Sequence, residues 1–138
     1  MQDAAYASLL RDRRRGIHSR IAEMLEKDTA GPAVTEPQLL AWHFAQAGAP
    51  DKSIDYYLKA AERTTGRFAF AEMVSQLRKG VRQLEHLADN TETRRRELSL
   101  QVALGKALID YRGSGRRRSA RRSSERASYA SRSAIRNS

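Results

Sequence analysis

Apolar residues recur along this chain with the period of an α-helix rather than the alternation of a strand. From Asp3 to about Lys27, Tyr6, Leu10, Ile17, Ile21 and Leu25 fall at intervals of four or seven. Leu9 and Met24 widen the stripe, while Arg11, Asp12, Arg14 and Arg15 point elsewhere, so the segment predicts one amphipathic helix. Gly16 sits in its middle, costs about 1 kcal/mol relative to Ala, and marks the place for a kink or break. The run DTAGPAVT, residues 28–35, reads as a loop. Thr35 is the expected N-cap of a second helix with Glu36 and Pro37 in its first turn and Leu39, Leu40, Phe44 and Ala47 on its buried side. Gly48 and Pro50 end it. A third helix is expected from Asp51 to Thr65 and Gly66, carrying Ile54, Tyr57, Leu58 and Ala61. The fourth, from about Ala69 to Leu87, places Phe70, Met73, Val74, Leu77, Val81, Leu84 and Leu87 or Ala88 on one face. Leu98, Val102, Leu104, Leu108 and Ile109 define a fifth, from Glu92 to about Tyr111.

Five helical patterns joined by short loops predict an all-α fold of antiparallel helical hairpins with no strand. At 138 residues the chain holds one domain at most, which excludes a multidomain enzyme. The absence of Cys excludes a disulfide scaffold, thiolate metal clusters and a cysteine nucleophile. No apolar run approaches the roughly 18 residues of a membrane span, so the expectation is a soluble cytoplasmic chain with no membrane partner.

Charge divides the chain unevenly. The formal net charge is +10, yet residues 112–138 alone hold nine Arg and one Glu, or +8, leaving +2 for residues 1–111. Eight Ser accompany them, with Ile135 as the single large aliphatic residue and Tyr129 as the single aromatic. Such a segment cannot bury enough apolar surface to offset its ordering entropy, and disorder is expected after about Tyr111. Clustered Arg would also release counterions from a nucleic acid, so a nucleic-acid-binding module acting through the tail is the alternative function. Aromatic residues, which would stack on bases, are nearly missing there.

Offsets rather than identities test for a helical repeat. Leu40, Ala41, Phe44, Gly48, Ser53, Tyr57 and Ala60 resemble the tetratricopeptide pattern of large, small, aromatic, turn glycine, small, aromatic and Ala. Small residues let two helices approach and aromatics fill the groove beside them. Ser53 stands where Ala is usual and Thr65 where Pro is frequent. Ala61, Met73, Leu77 and Gly80 form a less regular second unit, and Leu104 with Gly105 opens a third.

The chain also resembles something more specific. MQDAAYASLLRDRRRGIHSRIAEMLEK, LLAWHFAQAGAPDKSIDYYLKAAERT, AEMVSQLRKGVRQLEHL and ELSLQVALGKALI, in that order, are similar to the segment joining the ATPase and repeat regions of large bacterial signalling proteins. Those proteins carry a class III adenylate or guanylate cyclase domain, an AAA-type or STAND-type ATPase and C-terminal tetratricopeptide repeats. The resemblance covers residues 2 to about 111 and places Met1 inside the parent pattern. It implies a right-handed solenoid fragment: residues 1–30 as the end of the ATPase-associated helical region, 35–111 as repeats, and 112–138 as a disordered tail. The cyclase's metal-binding carboxylates and a GxxxxGK phosphate loop are both missing, so neither nucleotide chemistry carries over.

The Arg/Ser tail departs from the family completely, and the genetic code offers a reason. When Arg116 to Ser138 is back-translated with permitted codons, the frame begun one base earlier reads APEVGEAFERARELCQSLGDPEQ, with two bases of each alternative codon dictated by the observed residues. That string looks like the family's next repeat helix. A frameshift accounts for the tail better than a designed Arg/Ser segment.

Candidate chemistry is sparse. His18, His43 and His86 lie on three different helices without HxxxH or HExxH spacing, so no metal site is expected. Tyr57 is explained by repeat packing, which leaves Trp42 and Tyr56 as surface candidates, with core or rim the favoured reading. Arg11, Arg13, Arg14 and Arg15 form a basic cluster able to meet an acidic partner or a phosphate, although such runs are more often solvated faces. Glu62, Glu72, Glu85 and Asp89 lack convergent partners, and Ser99 and Ser119 lack a nucleophile elbow. No catalytic residue and no cofactor is expected; the implied function is helix-mediated binding of a protein partner. An accessory subunit supplied with chemistry by its partner is a further alternative.

Overall fold

The computed structural model describes residues 2–66 and 68–136. Among the described residues it is all-α: α1 (Gln2–Lys27), α2 (Pro32–Thr35), α3 (Pro37–Gln46), α4 (Pro50–Arg63), α5 (Ala69–Gln83) and α6 (Thr91–Arg136), with a 3₁₀ turn at Leu84–His86. Among the described residues no helix is long and apolar enough to cross a membrane. The chain divides into two compact units, one ending at Leu104 and the other beginning at Gly105.

Local chemistry explains most boundaries. Pro occupies the first turn of α2, α3 and α4, where its missing N–H costs no helical hydrogen bond. The α3–α4 turn is a Schellman motif: Gly48 adopts φ +74°, its N–H donates to the Ala45 carbonyl, and the Ala49 N–H donates to Phe44 at 2.9 Å. Gly16 produces no break, since α1 runs through it. The expected loop at 28–35 contains the single turn α2, and Thr35 ends that turn instead of capping α3. Its hydroxyl donates back to Gly31 at 3.3 Å, leaving Glu36 as the α3 cap without a side-chain hydrogen bond. The fourth predicted helix stops at Gln83 because the chain tightens into the 3₁₀ turn that packs Leu84 and Leu87 onto the core.

The first unit is built around α4, which buries residues on two sides. Ala22 of α1, Leu40, Ala41 and Phe44 of α3, and Tyr56 and Tyr57 of α4 form one cluster. Ile54 and Ala61 of α4, Leu77 of α5 and Leu100 of α6 form the other. Sharing α4 makes both clusters parts of one unit, so the expected division between residues 1–30 and 35–111 is not a boundary: α1 contributes to the same core as α3. At Gly80, α5 packs closely against Leu100 of α6 and Tyr57 of α4. A Cβ there would lie 2.9 Å from a Leu100 methyl and 3.6 Å from the Tyr57 Cβ, so only glycine fits without displacing a buried Leu.

Two predicted faces are corrected. On α6 the packed residue is Leu100, fully buried, while Leu98 and Val102 remain 64% and 62% exposed. Residues two apart on a helix diverge by about 200°, and the face running through Arg96, Leu100 and Leu104 has α4 and α5 as its partners. On α1, Tyr6, Leu9, Leu10 and Ile17 are exposed, and burial begins only near Ala22, where α3 arrives.

The second unit corrects the disordered tail. Residues 105–136 continue α6 as helix. Helical hydrogen bonds are local, and Arg and Ala are strong helix formers, so the segment needs no core to satisfy its backbone. Ser114 donates to the Asp110 carbonyl at 2.8 Å, and Arg121 meets Glu125 one turn on at 3.4 Å. The compositional inference keeps its force in another respect: every described residue from 114 to 136 is exposed. Asn137 and Ser138, counted with the expected tail, lie outside the described residues.

Candidate functional site

Helices α3 and α4, with the turn between them, carry the residues singled out in the repeat pattern. Leu40, Ala41, Phe44, Ser53, Tyr57 and Ala60 are all buried, and Gly48 makes the turn between them. Ser53 faces α3 and donates its hydroxyl to the Ala41 carbonyl at 2.7 Å. A small side chain at this position permits the close approach, and the hydrogen bond leaves its polar atom satisfied. These residues build the scaffold.

A polar and aromatic cluster joins α1 to the hairpin. Tyr56 stacks on Phe44, ring centres 5.6 Å apart and planes within 13°, and donates its hydroxyl to Glu26 at 3.0 Å. Lys52 reaches the other carboxylate oxygen at 2.9 Å. Burial would raise Glu26, but Lys52 and Tyr56 together hold it below the ordinary carboxylate value. Tyr56 is pushed up to about 12 by burial and by its bond to Glu26. Tyr56 is therefore core, whereas Trp42 stays at the rim, about half exposed.

His18 and His43 meet with Nδ1 atoms 3.0 Å apart, and the edge of each packs near Trp42. Such a contact requires one imidazole to donate and the other to accept. Burial, and then the charge of His18, push His43 below the usual imidazole value. His86 lies elsewhere, in the 3₁₀ turn. Among the described residues no group of three His, Asp or Glu is placed to hold a metal ion.

The sequence-level basic cluster acquires a geometry. Arg11, Arg14 and Arg15 line an open groove of about 530 Å³ whose other walls are the α3–α4 turn and the end of the α5 region, at Gln46, Gln83 and His86. Arg13, on the same helix, does not line it. The Arg15 guanidinium seats over the turn glycine: a Cβ on Gly48 would lie 3.8 Å from its Nε. His86, Gln46 and Gln83 were not legible as site residues, since nothing in their spacing links them to α1. The Arg spacing of three and four residues was the one available signal.

No carboxylate converges with these groups to form an acid/base pair. Asp55 is engaged by two nitrogens of Arg96, Nε and Nη2, at 3.2 and 3.4 Å, an interhelical contact that pins the start of α6 to α4. No family model, curated protein or solved structure matches the chain.

Proposed function

We propose that the first unit is a non-catalytic, tetratricopeptide-like interaction segment, of the kind that joins ATPase and repeat regions in cyclase signalling proteins, and that it acts by packing a helical protein partner. The supporting observation is the uncovered apolar face of α6 at Leu98 and Val102, opposite the buried Leu100. In a solenoid each layer covers the face of the one before it, and a terminal layer of polar outer surface is needed for solubility. A bare Leu and Val on that side fit a layer whose successor is missing. The neighbouring frame, which can read APEVGEAFERARELCQSLGDPEQ with permitted codons, resembles a repeat helix that would follow Gly115.

The test is a chain carrying that alternative reading from residue 116 onward. It should melt several degrees higher than the natural chain and bind less apolar dye, and Leu98→Glu with Val102→Glu should remove the gain. An unchanged midpoint, or the same cost of the two Glu substitutions in both chains, refutes the reading.

A second reading rests on the helical form of the C-terminal unit, which sets Arg118, Arg122 and Arg126 along one line of the helix surface. A duplex nucleic acid could follow such a line through phosphate contacts. Titrating a nonspecific duplex against the full chain and against a chain ending at residue 111, at two salt concentrations, separates this reading from the first.

A further inference from the structure

Three guanidinium groups from one helix turn toward a groove that holds no carboxylate. Arg11, Arg14 and Arg15 line one wall, and Gln46, Gln83 and His86 bring amide and imidazole groups to the others. None of the three Arg makes an ion pair with a described residue, in contrast to Arg94, Arg96 and Arg121. Asp12 and Glu85, their nearest acidic neighbours in sequence on the two walls, do not line the groove. The α4 helix begins at Pro50 on the groove's floor, so its positive end adds to the same field. Like charges gathered without counter-charges are costly unless an anion joins them.

The shape selects among anions. The open groove between α1, the α3–α4 turn and the 3₁₀ turn has a volume of about 530 Å³, within the range of small-molecule sites, where a flat basic face would favour a macromolecule. Side chains three and four residues apart on a helix stand roughly 5–6 Å from each other, a spacing that places forked donors along a short chain of anionic groups. His86 contributes the single aromatic ring of the lining, so no aromatic pair is present to clasp a nucleobase. We propose that this groove is a binding site for a linear polyphosphate anion, held through its phosphate chain by Arg11, Arg14 and Arg15. The proposal stands independently of the helical-partner reading, since the groove is lined from α1, the α3–α4 turn and the end of the α5 region, whereas that reading rests on Leu98 and Val102 of α6.

Calorimetric titration of the full chain with inorganic tripolyphosphate, ATP and orthophosphate tests it. Tripolyphosphate should bind one to one, with orthophosphate about tenfold weaker or more because a single phosphate engages fewer guanidinium groups. The ATP arm distinguishes the source: affinity equal to that of tripolyphosphate assigns the site to the phosphate chain alone, and tighter binding assigns it to a nucleotide carrying that chain. Arg14→Gln and Arg15→Gln should each weaken tripolyphosphate by about tenfold, whereas Arg13→Gln, which removes the same charge outside the groove, should change it by less than about twofold. Arg121→Gln controls for the basic C-terminal helix in the same way. Helicity of each variant is checked by circular dichroism, and these exposed positions are expected to fold normally.

Equal losses for Arg13→Gln and Arg14→Gln overturn the proposal, because they mean diffuse attraction to net charge. So does tripolyphosphate binding that survives Arg14→Gln and Arg15→Gln together. A Glu-rich peptide that binds the chain about tenfold tighter than tripolyphosphate, with the same dependence on Arg14, overturns it in favour of an acidic protein segment.

Discussion

Replacing Tyr57 with Ala should remove much of the first unit's stability. The ring is 5% exposed and lies where α3, α4 and α5 come together, in the cluster with Phe44 and Tyr56 and beside Gly80. An aromatic side chain buries about 150–250 Å², which at about 25 cal/mol per Å² corresponds to roughly 4–6 kcal/mol. A compact unfolded chain already hides about 10–40% of that area, bringing the expected loss to about 3–5 kcal/mol, the span seen for aromatic truncations in protein cores. Small domains are stable by only about 5–15 kcal/mol in total, so the variant should unfold at a much lower urea concentration. Trp42, the one tryptophan, sits on α3 beside this core and reports the transition by fluorescence. Far-ultraviolet circular dichroism supplies the second probe. Tyr57→Phe keeps the ring, removes only the hydroxyl, and should cost less than about 1 kcal/mol. A Tyr57→Ala loss below about 0.5 kcal/mol, typical of surface positions, would refute the packing argument.

Gly16 lies inside α1 with open space where a Cβ would stand, so Gly16→Ala should stabilise the chain by about 0.5–1 kcal/mol; a lower melting temperature would mean that α1 bends there. His43 is held below its ordinary value of 6.5, so the folded state binds fewer protons than the unfolded state as pH falls through 6.5. Stability is therefore retained above that value and declines between it and the lower folded-state value, and His43→Gln should flatten this part of a melting-temperature profile against pH. Gln76 is buried with its Oε1 unsatisfied while its amide nitrogen donates to Glu72. Because an unpaired buried acceptor costs about 1–3 kcal/mol, Gln76→Leu should leave urea stability unchanged or raised, and a loss above about 1 kcal/mol would show that the bond to Glu72 outweighs the unsatisfied Oε1.

The helices and their order were legible because apolar periodicity and turn chemistry act locally. Pro37, Gly48 and Pro50 mark the ends of α3 and α4 through the backbone conformations they allow, whatever surrounds them. The Leu40, Ala41, Phe44, Ser53 and Tyr57 set was readable for a related reason: the spacing of small and large residues on two consecutive helices already states how closely they can pack. The tail was misread where composition was asked to decide secondary structure. Lack of apolar residues denies a segment a core, yet Arg and Ala still favour a solvated helix.

Periodicity, turn chemistry and composition determined that the chain is helical, where the α3–α4 turn falls, and that residues 114–136 stay exposed. Tertiary structure decided which face of each helix is covered. The apolar stripes of α1 and α6 carry no statement of whether a partner is present, and Leu100 rather than Leu98 or Val102 is buried because Gly80 opens a space opposite it. The pairing of Tyr56 with Glu26, 30 residues apart, and the meeting of Arg11, Arg14 and Arg15 with His86 likewise exist only once the helices have packed. Local backbone preferences extend over a few residues, whereas the field of a charged groove depends on groups brought together from across the chain.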